Sequence, residues 1–225
     1  MCTVLQLCLG TVYAWSYFQP LVVEQFRWTN TATSWAFSLN ICCLGLSSAW
    51  GGINLARIGP RKLAIAGGLL FAAGYVLAAV ALALKSLMLF YLGYGVVAGI
   101  GIGLGYVTPM STVTKWFPDK RGLLTGIVAM GFGLGAFVLS VVLAPILMRA
   151  FHGNLTLVFA ALGAVLGSAA FGSAAMLRDP PAGYLPSGYI PSASKDARAR
   201  GPYAKAEEES DLTRNQCEET SRGGG

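Results

Sequence analysis

Tyr13, Trp15, Tyr17 and Gln19 place four hydrogen-bonding side chains inside an otherwise apolar run. Phenol, indole and amide groups give or accept hydrogen bonds without carrying charge at neutral pH, so they can hold a polar solute but not act as strong acids or bases. Interfacial belts account for aromatic residues near a membrane surface. Tyr13, however, lies about 15 Å by helical rise from residue 23, near the middle of a bilayer. Little else in the chain is reactive. His152 is the only histidine, and Glu24 and Asp119 are the only carboxylates before Asp179. Cys2, Cys8, Cys42 and Cys43 lie in apolar runs and Cys217 in a polar tail, with no zinc-site spacing. Gly131-Phe132-Gly133-Leu134-Gly135-Ala136 has the glycines of a dinucleotide fingerprint, but that motif needs a preceding strand and a βαβ unit. The expectation is no enzyme, no cofactor and no metal site.

The elements that must position these groups are six apolar runs: Cys2–Val23, Thr33–Leu55, Leu63–Leu84, Leu87–Val113, Leu123–Met148 and Leu155–Leu177. Each has the ~20 residues that a bilayer-crossing helix needs, and none contains Lys, Arg, Asp, Glu or His. Soluble domains carry about 25% charged residues; this chain carries 12%, with 55% hydrophobic residues, too little polarity to cover a water-facing surface. The fold class expected is an all-α membrane protein, a six-helix transmembrane bundle. The first run lacks the basic start and small-residue cleavage site of a signal peptide, so it reads as a span. Glycines recur every four residues at Gly95, Gly99 and Gly103, at Gly101 and Gly105, and at the pairs Gly122/Gly126, Gly131/Gly135 and Gly163/Gly167. That spacing lets helix backbones approach closely in lipid. It predicts that Gly99 and Gly103 tolerate a large side chain less well than Gly93.

Charge sets the orientation. Residues 1–178 hold ten Lys/Arg and two acids, and residues 179–225 hold six and eight. The basic residues flank the apolar runs, which is a topology signal rather than a nucleic-acid footprint. Seven of them (Arg57, Arg61, Lys62, Lys115, Lys120, Arg121 and Arg178) fall in alternate loops or at the end of the sixth run, against Arg27, Lys85 and Arg149 on the other side. Both termini are therefore expected in the cytoplasm of a multi-pass protein in a plasma or bacterial inner membrane. Residues 179–225, with repeated prolines, Glu207-Glu208-Glu209 and no apolar periodicity, read as a disordered cytoplasmic linker or tail.

Two motifs carry a resemblance. Gly52, Arg57, Gly59, Arg61 and Lys62 form a basic turn that resembles the signature loop between the second and third spans of the major facilitator superfamily, with Ala56 where the family usually has Asp. Lys115-Trp-Phe-Pro-Asp-Lys-Arg-Gly122 with Gly126 and Gly131–Ala136, Gly10-Thr-Val-Tyr13-Ala-Trp15, and Pro180-Pro181-Ala-Gly183-Tyr184 are similar to the oxalate/formate antiporter-like branch, which neighbours the monocarboxylate transporters. The resemblance covers residues 10 to 186.

It implies one six-span half of a twelve-span carrier, with substrate held between the halves. It places Tyr13 and Tyr106, with Trp15 close by, at positions that line the site, and gives Gly52, Arg57, Gly59, Arg61 and Lys62 a gating role. Glutamines that help hold oxalate in such carriers fall here at Val12 and Ser34, and the arginine of the superfamily's fourth-span motif falls at Gly95. The function implied is secondary transport of a small organic anion, of oxalate/formate or monocarboxylate type, by alternating access. The partners implied are that anion, the bilayer and a second six-span half in the same or a separate chain, with no nucleic acid. The alternative is a six-span non-transporting or regulatory protein that pairs with a full carrier.

Overall fold

Inside hydrocarbon a chain must satisfy its own backbone N–H and C=O groups, and a helix does this within one segment. The computed structural model describes residues 2–116 and 121–177, and all regular structure among them is helical. Asp119, Lys120, Arg178 and the expected tail at 179–225 lie outside the described residues.

The first run is broken. Helix α1 (Cys2–Leu9) passes into a 3₁₀ turn at Gly10–Ala14 and then into α2 (Trp15–Phe26). The second span is α3 (Asn30–Ile58) and the third α4 (Pro60–Ala83). The fourth is α5 (Leu87–Phe90), a π-helical stretch at Tyr91–Ala98 and α6 (Gly99–Trp116). The fifth is α7 (Arg121–Val138), a π-helical stretch at Leu139–Leu143 and α8 (Ala144–Ala150). The sixth is α9 (Leu155–Ala175). Among the described residues, five of these segments, all but the first, are single helices long and apolar enough to cross a membrane.

Several helices outrun their apolar cores, which corrects the expected boundaries. The segment Gly52–Lys62, expected as a loop, is the end of α3, a one-residue link and the start of α4. Only Gly59 separates the two helices. Its φ of +86° is a backbone conformation that costs glycine nothing, and Pro60 opens α4 with a φ already set for helix. Side-chain caps begin three of the helices, α3, α5 and α9. Thr29 accepts from Ala32 N at 3.2 Å, Ser86 from Leu89 N at 3.5 Å and Asn154 from Thr156 N at 3.1 Å.

The third and sixth spans pack along each other, the fourth lies on the second and third, and the first lies on the fifth, sixth and fourth. Glycine makes this possible at specific places. A Cβ on Gly67 would sit 2.7 Å from Gly105 N and 2.8 Å from the Gly101 carbonyl, so the third and fourth backbones touch there. Gly99 faces the Asn40 carbonyl and Gly103 faces the Ser47 hydroxyl and Leu44 carbonyl of α3. Gly93 was expected to be the tolerant member of this group. It is equally confined: its Cβ would lie 2.8 Å from Ala78 N, because that face meets α4 rather than α3. Gly122 and Gly126 depart in the other direction, with nothing within 4 Å of an added Cβ. Gly131–Ala136 lies within α7, so the glycine spacing there serves helix packing.

The π-helical stretch of the fourth span is held from outside. Asn40 is fully buried, and its Nδ2 donates to the Tyr94 carbonyl at 2.6 Å. Truncating it leaves a buried acceptor unpaired, which costs about 1–3 kcal/mol. Asn40→Ala should therefore lower the unfolding midpoint of the detergent-solubilised protein. An unchanged midpoint would show that the stretch holds itself.

Candidate functional site

Tyr13 stands on the 3₁₀ turn that interrupts the first span. Thr11 Oγ1 donates to the Cys8 carbonyl at 2.7 Å, inside that break. Gly10 is needed there because the Phe132 carbonyl of α7 occupies the space a Cβ would take. Val12 and Ala14 are buried on either side, whereas Tyr13 is 50% exposed. The break thus turns one phenol out of the core.

Two rings from two other helices meet it, and one of them carries a third. Phe132 meets Tyr13 edge-on, with ring centroids 5.6 Å apart at 87°. The same Phe132 meets Tyr106 of α6 at 5.1 Å and 69°. Phe37 of α3 approaches Tyr13 at 6.5 Å and 60°. Edge-to-face contacts at these separations are the favoured geometry of aromatic pairs. The result is an aromatic wall of two phenols joined through Phe132. Further along the first and second spans, Gln19 Nε2 donates to Ser34 Oγ at 2.9 Å. Tyr106 is positioned by its backbone. Pro109 has no N–H to give the Gly105 carbonyl, and from the first span Gln6 Nε2 donates to the Tyr106 carbonyl at 3.3 Å.

Trp15 does not join this wall. Two positions on a helix are roughly 200° apart, and Trp15 is 4% exposed on the core side. Its ring lies 4.9 Å from Tyr94 and 5.7 Å from Phe90. Val12 is fully buried as well, so of the two positions compared with oxalate-holding glutamines only Ser34 is exposed. Phe132 is the residue that sequence reasoning missed. Its signal was present: it is the one bulky side chain between Gly131 and Gly133, where glycine neighbours leave a ring free to reach other helices.

The basic turn is displayed on the surface. Gly52, Arg57, Arg61 and Lys62 are exposed and Gly59 is half-buried. Arg57 lies in the last turn of α3, where the helix dipole favours a cation. No described residue groups three metal-ligating side chains.

Residues 1–205 match the sequence profile of the Major Facilitator Superfamily. The chain belongs to that superfamily. Its curated relatives include the oxalate:formate antiporter of Oxalobacter formigenes, 33% identical over 134 residues, which are 59% of this chain and 31% of that protein. The apicoplast pyruvate carrier 1 of Toxoplasma gondii is 31% identical over 172 residues, covering 59% of this chain and 31% of the carrier. Monocarboxylate transporter 14 of Mus musculus is 31% identical over 137 residues, covering 61% and 26%. The chain spans about a third or less of the length of these relatives. As a facilitator-superfamily member it is a multi-pass membrane protein of a transporter family.

Proposed function

We propose that this chain forms one six-span bundle of a secondary transporter for small mono- or dicarboxylates, working by alternating access against a second bundle. The observation that carries the reading is the pairing of Tyr13 and Tyr106 through Phe132 on a broken first span. Irregular backbone at membrane depth persists where it is buried in protein or lines a cavity, and transporters place substrate at such breaks near the midplane. Phenol hydroxyls donate to carboxylate oxygens, and the rings offer a weakly polar wall. The names of the relatives, which include oxalate, formate, pyruvate and monocarboxylate carriers, support the same solute class.

A carboxylate at the bilayer centre also needs positive charge. The six runs contain no Lys, Arg or His, and a bare charge there costs ~3 kcal/mol or more. The second bundle therefore supplies the cation, and this bundle supplies orientation and hydrogen bonds. The test is uptake and counterflow of labelled oxalate, formate, lactate and pyruvate in vesicles holding the complete carrier. Movement of at least one, exchanging with its relatives, is the expected result. Failure of all four, with the protein folded, sinks the reading.

The proposed orientation puts both termini and the Arg57–Lys62 segment in the cytoplasm of a plasma or bacterial inner membrane. In a cysteine-free background, cysteines at positions 57 and 62 should react with an impermeant maleimide only from the cytoplasmic side, and a cysteine at 152 only from outside. The reverse pattern would invert the topology.

A further inference from the structure

Away from the tyrosine wall, α3 and α6 bound a groove of about 430 Å³ lined by Cys43, Leu46, Ser47, Trp50, Ile100 and Leu104. Leu104 and Tyr106 are two positions apart, so the groove opens roughly 200° around α6 from the candidate site. Its lining is almost wholly apolar, and Leu46 and Trp50 stand exposed along one wall. At one end Leu55, Leu63 and Leu104 make a small apolar cluster, separate from the main core, that joins α3, α4 and α6. Beyond it stands the basic turn. Arg57 lies seven residues after Trp50, two helical turns and about 10 Å further on the same face. Arg57, Arg61 and Lys62 are all exposed, and the sequence has no acidic residue between Glu24 and Asp119. Arg61 and Lys62 also occupy the first turn of α4, where the helix dipole disfavours cations and favours an anion.

We propose that this groove holds an acyl chain of an anionic glycerophospholipid whose phosphate sits against Arg57, Arg61 and Lys62. An apolar trough ending in three cations matches a hydrocarbon tail ending in a phosphate, and basic clusters at the end of a span draw anionic lipid. The groove lies within the membrane-spanning length of α3, so its ready occupant is lipid rather than a water-borne ligand. A neutral lipid would fill the trough equally well but would leave the cations unmatched. The site is independent of the solute that the tyrosine wall contacts.

The test uses the full chain in phosphatidylcholine vesicles carrying a minor fraction of phospholipid brominated midway along one chain. Bromine quenches nearby indole, and the difference between the protein and Trp50→Phe isolates Trp50. Both Trp50 and Arg57 are exposed, so the variants keep the fold. Brominated phosphatidylglycerol should quench Trp50 at least ~5-fold more effectively than brominated phosphatidylcholine at equal fraction, because each nearby basic residue contributes about 1 kcal/mol, roughly a factor of five. Arg57→Gln should lower that preference by roughly a factor of five. Equal quenching by both lipids would reduce the groove to ordinary lipid-facing surface. No quenching by either would mean that protein covers it, and a preference undiminished by Arg57→Gln would move the headgroup elsewhere; each outcome overturns the proposal.

Discussion

Gly135→Leu should abolish the folded bundle, whereas Gly133→Leu, two residues away, should leave it intact. A Cβ at Gly135 runs into the Leu7 carbonyl, and at Gly133 it meets nothing within 4 Å. Overpacking a core costs about 1–3 kcal/mol when side chains can shift. Here the obstacle is the backbone of α1, which cannot rotate aside, so the cost should reach or exceed the top of that range. Gly10 and Phe132 make the reciprocal contact between the same two spans, so displacing α7 also loosens the turn that carries Tyr13. At Gly133 the same change removes a flexible residue from a helix and gains up to ~1 kcal/mol. The measurement is the fraction of protein recovered as a single species after mild detergent extraction. Equal recovery of the two variants would mean that the first and fifth spans do not meet as described.

Tyr13→Phe and Tyr106→Phe should each raise the half-saturation concentration of the complete carrier roughly tenfold while leaving its abundance unchanged. Hydrogen bonds to charged groups contribute ~1.5–3 kcal/mol, and 1.4 kcal/mol is a factor of ten. Phenylalanine keeps the ring and hence the edge-on contacts with Phe132. Only the hydroxyl is lost, so a packing role predicts no change. Trp15→Phe is the internal control. That side chain is buried against Tyr94 and its Nε1 has no partner, so affinity should not move. Unchanged affinity in both tyrosine variants, for every carboxylate carried, would remove them from the site.

The helical class and the six apolar runs were legible because a bilayer imposes length and apolarity on each span. The ends were less so. Hydropathy marks the lipid-crossing part, and α3 and α4 continue past it through Arg57 and Lys62 with only Gly59 between them. The break at Gly10–Ala14 left no periodic signature, and the Phe132 carbonyl that fills the space beside Gly10 belongs to a span more than a hundred residues later. The same distance hid Phe132 itself. Trp15 was grouped with Tyr13 by nearness in sequence, and helical rotation separates them. Gly93 misled in a similar way: the four-residue repeat reports one contact face, and a glycine off that face met a different neighbour.

The order in which neighbours become available during synthesis follows from the packing. The third and fourth spans are joined by Leu84, Lys85 and Ser86, and their backbones touch at Gly67, Gly101 and Gly105. Both surfaces of that contact exist once the ribosome has passed residue 105. Of these six spans the first emerges earliest yet rests chiefly on α7 and α9, so its lateral partners are the last of the six to be made. Until residue 132 has been added, Tyr13 has no Phe132 to lean on, and the span made first of these six is among the last of them to be completed in space.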